Sequence, residues 1–218
     1  MRPDELRRSD HTFSRRDAAI AAALFVLASL ANWTYLTLAG ETPGYRHGDS
    51  LMMFVPPALW TMGHGMSEIV PGFYPPALAD FLLQKTETLS PEQMPSTPIC
   101  LARRDKFIYD RIYLLYATGI LWRIFGISWG ILNWIVSVAG GLTAALAYGI
   151  FRLGMTRLIS LACAILFVSS PVYLTYLPAL RDFCKAPFIL GAILATGYLI
   201  ARRPSGKTLL ALACAAGL

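Results

Sequence analysis

Three ionisable side chains, Arg181, Asp182 and Lys185, sit in the stretch LPALRDFCKAPFIL between two apolar runs. A fourth group, Asp49, lies in HGDSLMMFVPPALW near the other end of the chain. Arginine grips a phosphate bidentately and lysine meets it as a point charge, so Arg181 and Lys185 suit a lipid phosphate or diphosphate. Four residues apart at a helix start, they are expected to share one face. Asp49 adjoins an apolar segment, where desolvation raises a carboxyl pKa and suits it to accept a proton. The same carboxylate suits a divalent cation such as Mg or Mn through oxygen ligation. Each site has a plainer reading. Asp49 before Ser-Leu-Met-Met is a good helix N-cap, and cations at helix ends commonly snorkel as membrane anchors. Asp182 departs from an all-cation anchor, and Pro178 and Pro187 bracket the turn. On the residues alone, anchoring and phosphate binding both stand.

The elements that must position these groups follow from composition. The 218-residue chain is 56% apolar and only 15% charged, against about 25% charged in soluble domains, and its mean hydropathy is +0.51. The net charge of +6 does not mark a nucleic-acid binder, which needs a clustered basic face on a soluble fold. Here the cations punctuate long apolar runs as juxtamembrane residues do. The expected class is an all-α, polytopic membrane protein with the lipid bilayer as its first partner and no nucleic acid.

Residues 1–17 carry five arginines against four acids and form the expected cytoplasmic N-terminus. AAIAAALFVLASLANWTYLTLAG, residues 18–40, has spanning length. A signal-peptide core of about 7–15 residues is shorter, so this run reads as a retained first transmembrane helix. The sequon at Asn32 falls inside it and has no meaning there. Residues 41–128 form a proline-rich extracytoplasmic loop with short juxtamembrane helices, in which VPGFYPPALAD places Tyr74 either on a rigid lip over a groove or on a plain surface loop. Residues 129–218 hold the remaining transmembrane helices, with the charged turn at 178–187. Gly140-Gly141 and Ala144-Ala145 suit close helix packing. The final apolar run, TLLALACAAGL, is about half a span, as expected of the N-terminal part of a longer protein.

Topology hinges on YDRIYLLYATGILWRIFG. If this segment lies in the interface, Arg152, Arg157, Arg202, Arg203 and Lys207 fall inside, while Arg181 and Lys185 fall outside, as short cytoplasmic loops prefer. If it spans, the ratio reverses. Its arginines near both ends and its Tyr and Trp residues favour the interface. The four cysteines lack metal-binding spacing; Cys163 and Cys214 read as small core residues, and Cys100 with Cys184 is an open disulfide possibility on the outer face.

Taken together, GDSLMMFVPPALWTMGHG, YLLYATGILWRIFG and SPVYLTYLPALRDFCKAPF resemble the GT-C superfamily of membrane glycosyltransferases, which includes protein O-mannosyltransferases, aminoarabinose transferases and Rgt-like enzymes. The resemblance covers most of residues 15–201. It implies a GT-C-like N-terminal transmembrane module in a bacterial inner membrane, with the active site on the periplasmic side. It also implies a polyprenyl-phosphate sugar donor and a glycan, lipid or protein acceptor. Asp49 matches the family's first-loop acidic residue, acting as base or metal ligand. Arg181 and Lys185 match the donor-phosphate cations, and Asp182 a second polar group of the catalytic site. Met-Met-Phe stands where an aromatic close after the first Asp is usual, and no second acid adjoins Asp49, which leaves a metal requirement open. A lipid-substrate transporter and a non-catalytic scaffold are the alternatives. A transporter is expected to carry ionisable residues near the bilayer midplane, and the apolar runs here carry essentially none.

Overall fold

The computed structural model describes residues 13–40, 50–70, 72–94, 99–102 and 112–202, apart from the side chains of 50–52, 181 and 201–202. The chain is mostly helical. It divides into two units, one made of the N-terminal part through Tyr35, Val136–Leu177 and the part from Asp182, the other of Leu36–Ile135 with Pro178–Arg181.

The first helix, α1 (Arg15–Ala39), starts three residues before the apolar run because Ser14 and Asp17 cap each other. The Asp17 amide donates to Ser14 Oγ at 3.3 Å, and the Ser14 amide donates to Asp17 Oδ2 at 2.8 Å. This is a capping box with Asp in place of Glu, and it satisfies two amides that a helix start would leave orphaned. At 25 residues, α1 is about 38 Å long. Among the described residues, it and α5 (Leu132–Arg152) are the two helices long and apolar enough to cross a membrane.

In the first unit α1 and α5 cross at small residues. A Cβ on Gly141 would run into the carbonyl oxygen of Phe25 and into Ser29 Oγ, and one on Gly140 would run into Asn32. The paired glycines therefore do what their size suggested: they let two backbones approach. Asn32 uses that proximity. Its Nδ2 donates to the Tyr173 hydroxyl at 2.9 Å in a buried setting.

The apolar stretch after Arg157 is not one rod. Helix α6 (Arg157–Val168) stops at Ser169, and α7 (Pro171–Tyr176) restarts with Ser170 as its cap, accepting from the Tyr173 amide at 3.2 Å. Pro171 cannot donate an amide, which suits the first turn of a helix and breaks an interior. A short α8 (Leu180–Phe183) follows, then α9 (Ala186–Arg202). Near its end α9 meets the turn that follows α5, since a Cβ on Gly197 would strike Leu153.

The second unit holds the residues between the two long helices. Helix α2 (Ser50–Thr61) packs on α4 (Ile112–Phe125), with Gly119 making room for the Trp60 ring. Arg123 lies 4.3 Å over that ring and donates to the Trp60 carbonyl at 3.2 Å. Helix α3 (Pro76–Leu82) contributes Phe81, which stacks on Trp129 at 4.9 Å, while Phe54 meets Trp129 edge-on at 5.1 Å. Both buried indoles are satisfied: Trp129 donates to the Phe81 carbonyl and Trp122 to the Ser128 carbonyl, each at 2.8 Å. Two short antiparallel pairs staple the loops, β1 (Glu68–Ile69) with β3 (Leu101–Ala102) and β2 (Thr88–Leu89) with β4 (Ile127–Ser128). Helix α4 buries Leu114, Leu115, Thr118, Gly119 and Trp122 and leaves Tyr113, Tyr116, Ile120 and Ile124 exposed. Its 14 residues extend about 21 Å, short of the roughly 30 Å hydrocarbon core.

Gly141→Val is expected to lower stability by about 1–3 kcal/mol, because the backbone of Phe25 cannot swing aside as a side chain can. Gly154→Ala, where nothing lies within 4 Å of the added methyl, serves as the silent control in a thermal unfolding series.

Candidate functional site

Arg181, Asp182 and Lys185 do not share one helix. Pro187 has no amide to donate, and its ring clashes with the carbonyl four residues back, which is that of Phe183. Helix α8 ends at Phe183 and α9 begins at Ala186, so the expected single face for Arg181 and Lys185 is replaced by a corner. Lys185 stands just before α9, and its carbonyl accepts from the Phe188 and Ile189 amides at 3.1 Å. Its ammonium pairs with Asp182 Oδ1 at 3.0 Å, with both side chains nearly half exposed. The backbone of Arg181 belongs to α8. Helix α2 starts at Ser50, the residue after Asp49, and Asp49 itself lies outside the described residues. The structure thus brings together Asp182 and Lys185 of the four expected site residues.

A cation just before a helix start opposes the macrodipole, whose positive end lies there. The lysine and the helix end together make an anion-attracting corner, which Asp182 partly neutralises. That exposed pair contributes at most about 1 kcal/mol, weak enough to be exchanged for another anion. Beside the corner opens an apolar cavity of about 480 Å³. Phe167, Tyr173, Tyr176, Phe183, Ile189 and Leu190 supply most of its wall, and Ala186, which follows Lys185 in sequence, lines it too. Tyr173 is the pivot, with its ring edge-on to Phe167 at 5.9 Å and to Phe183 at 5.3 Å. Its hydroxyl is held by Asn32. An apolar groove beside an anion-attracting rim has the outline of an amphiphile.

Cys184 and Cys100 are free thiols. Cys184 is 4% exposed, and burial pushes its thiol up to about 12. Tyr74 is half-buried; burial first, and then the charge of Glu68, hold its hydroxyl above the ordinary phenol value, so it stays protonated at neutral pH. Among the described residues no three His, Cys, Asp or Glu side chains gather to hold a metal.

A second polar cluster, at the start of α1, was not expected. The Asp17 carboxylate is fully buried and accepts from every side. Arg152 Nε reaches Oδ1 at 3.0 Å, Arg157 Nε at 2.9 Å and the Tyr148 hydroxyl at 2.9 Å. Ser14 Oγ and Arg157 Nη2 donate to Oδ2 at 2.8 and 3.3 Å. The signal for it lay in Ser14-Arg15-Arg16-Asp17, a capping-box spacing before an apolar run.

Comparison with protein-family models, curated proteins and solved structures finds no match.

Maleimide at neutral pH is expected to modify Cys100 readily and to leave Cys184 untouched until the protein is unfolded, as peptide mass mapping reads. Raising the pH to about 9 leaves Cys184 unmodified, because a raised thiol pKa keeps the nucleophilic thiolate scarce there.

Proposed function

We propose that the chain is a GT-C-like membrane glycosyltransferase module that takes a sugar from a polyprenyl-phosphate donor and passes it to an extracytoplasmic glycan, lipid or protein acceptor. The observation that carries this reading is the apolar cavity whose wall includes Ala186, the residue that follows the Lys185–Asp182 pair into α9. An isoprenoid chain fits the aromatic and aliphatic wall, and its phosphate fits the corner where Lys185 stands and Arg181 lies close in sequence. Lys185 exchanges Asp182 for the phosphate as the donor arrives. Asp49 then takes the proton of the acceptor hydroxyl, the acceptor oxygen forms its bond to the anomeric carbon, and the bond from that carbon to the phosphate oxygen breaks. The departing polyprenyl phosphate carries the extra negative charge, which Arg181 and Lys185 stabilise.

The Asp17 cluster supports the topology that this mechanism requires. Asp17 bonds both Arg152 and Arg157, so the α5–α6 turn shares one end of the helical unit with the start of α1. With α1 leaving that end and α5 returning to it, the intervening chain makes no net crossing. Helix α4, with Tyr113 and Tyr116 partly exposed, has the side chains that suit the interface. Positive charge marks the Asp17 end as cytoplasmic. The residues after α1 and the 178–187 turn then belong to the outer side, with α6 and α7 as one interrupted crossing.

Two experiments test the reading. In the full-length protein, Asp49→Asn and Arg181→Ala are each expected to abolish sugar transfer from a polyprenyl-phosphate donor while expression stays normal; transfer retained by Asp49→Asn removes the catalytic assignment. In a cysteine-free background, Gly154→Cys is expected to be labelled only from the cytoplasm and Asp182→Cys only from the outside. Labelling of both from one side sinks the topology.

A further inference from the structure

Four guanidiniums gather where α1 starts, α5 ends and α6 starts: Arg15, Arg16, Arg152 and Arg157. One carboxylate, Asp17, pairs with two of them. Its bonds to Arg152 and Arg157 leave Arg157 still 40% exposed in its side chain. Arg15 and Arg16 are exposed and stand in the same first turn, within about 3 Å of Asp17 along the axis at roughly 1.5 Å per residue. The contact of Gly197 with Leu153 brings the last turns of α9 toward the same end. The twelve residues before Phe13 add three arginines and three acids, so they do not cancel this excess.

The cations also border bare apolar surface. Leu158 is 77% exposed, Ile159 52% and Phe13 48%. A soluble anion has no use for that surface, whereas a lipid covers it with acyl chain while its phosphate meets the arginines. Helix α6 adds its own positive end, since Thr156 offers no side-chain cap to the first amides.

We propose that this end of the helical unit binds anionic phospholipid head groups through Arg15, Arg16 and the half-exposed Arg157. Charge complementarity commits the surface to that partner, because each cation near an anionic lipid surface favours binding about fivefold. The site lies at the opposite end of α1 from Asn32 and Tyr173, so it is independent of the proposed donor groove.

The test titrates phosphatidylglycerol, phosphatidylcholine and inorganic phosphate into the full chain in neutral detergent, with the unfolding temperature as readout. Phosphatidylglycerol is expected to raise it saturably, while phosphatidylcholine and phosphate do not. Arg15→Gln/Arg16→Gln should weaken the apparent phosphatidylglycerol affinity at least about fivefold, and salt at about 0.5 M should weaken it as well. Neither arginine bonds Asp17, so the lipid-free unfolding temperature should hold; Arg16→Gln alone replaces the pair if it does not. Equal shifts from the two lipids, an unchanged affinity in the variants, or a phosphate effect matching that of phosphatidylglycerol would each overturn the proposal.

Discussion

The helical unit depends on a single buried carboxylate. Asp17 neutralises half of the charge that Arg152 and Arg157 bring to one helix end, and six donor contacts saturate both of its oxygens. Burying Arg152, with 2% of its side chain exposed, is tolerable only because that partner is in place and Met155 offers a carbonyl as well. The placement is favourable for the helices too, with an anion at the start of α1 and a cation at the end of α5. One residue therefore caps α1, fixes its height against α5 and ties the α5–α6 turn down. The contact falls at the helix ends, where the second cation, Arg157, keeps 40% of its side chain in solvent.

From that fixed end, packing along the helices is a matter of size and one polar bond. Gly140 and Gly141 lie about three turns before Arg152 along α5, and there α1 comes close enough for Phe25 and Ser29 to touch α5. Asn32 lies about 22 Å up the axis of α1 from Asp17. There its bond to Tyr173 ties α1 to the α6–α7 segment. A buried amide in an apolar setting is costly unless satisfied, so this bond fixes register as well as contact. The wall of the apolar cavity includes Tyr173 itself. The shape of the groove thus depends on polar contacts made elsewhere in the helical unit.

Much of this is legible in the residues, and what is not has physical causes. Apolar runs of spanning length mark α1 and α5, and the paired glycines mark their crossing. The break at Ser169-Ser170-Pro171 is written in proline chemistry, yet hydropathy averaged over a spanning length makes Arg157 to Leu177 a single segment because three residues barely lower the mean. Pro187 acts in the same way: spacing puts Arg181 and Lys185 on one helix, and the missing amide turns the chain through a corner instead. Asp17 looks like a solvated tail residue, since a lone acid beside arginines commonly is one; only the three-dimensional return of α5 buries it. Asn32 has no meaning as a sequon, and that says nothing of what its amide does. The cavity is beyond reach from sequence, because its wall comes from α5, α6, α7, α8 and α9 at once.

The two charged regions separate anchoring from chemistry by how their ion pairs are held. At the Asp17 end the carboxylate and Arg152 are buried and multiply bonded; breaking that pair strands charge in a poorly solvated place. At the 178–187 corner Lys185 meets Asp182 at 3.0 Å with both side chains nearly half exposed, at the positive end of a helix and beside an open apolar groove. A buried network resists exchange, whereas an exposed pair is readily traded for a better anion. That contrast is what the proposed ligand exchange at the corner rests on, whereas the buried Asp17–Arg152 pair holds the helices still.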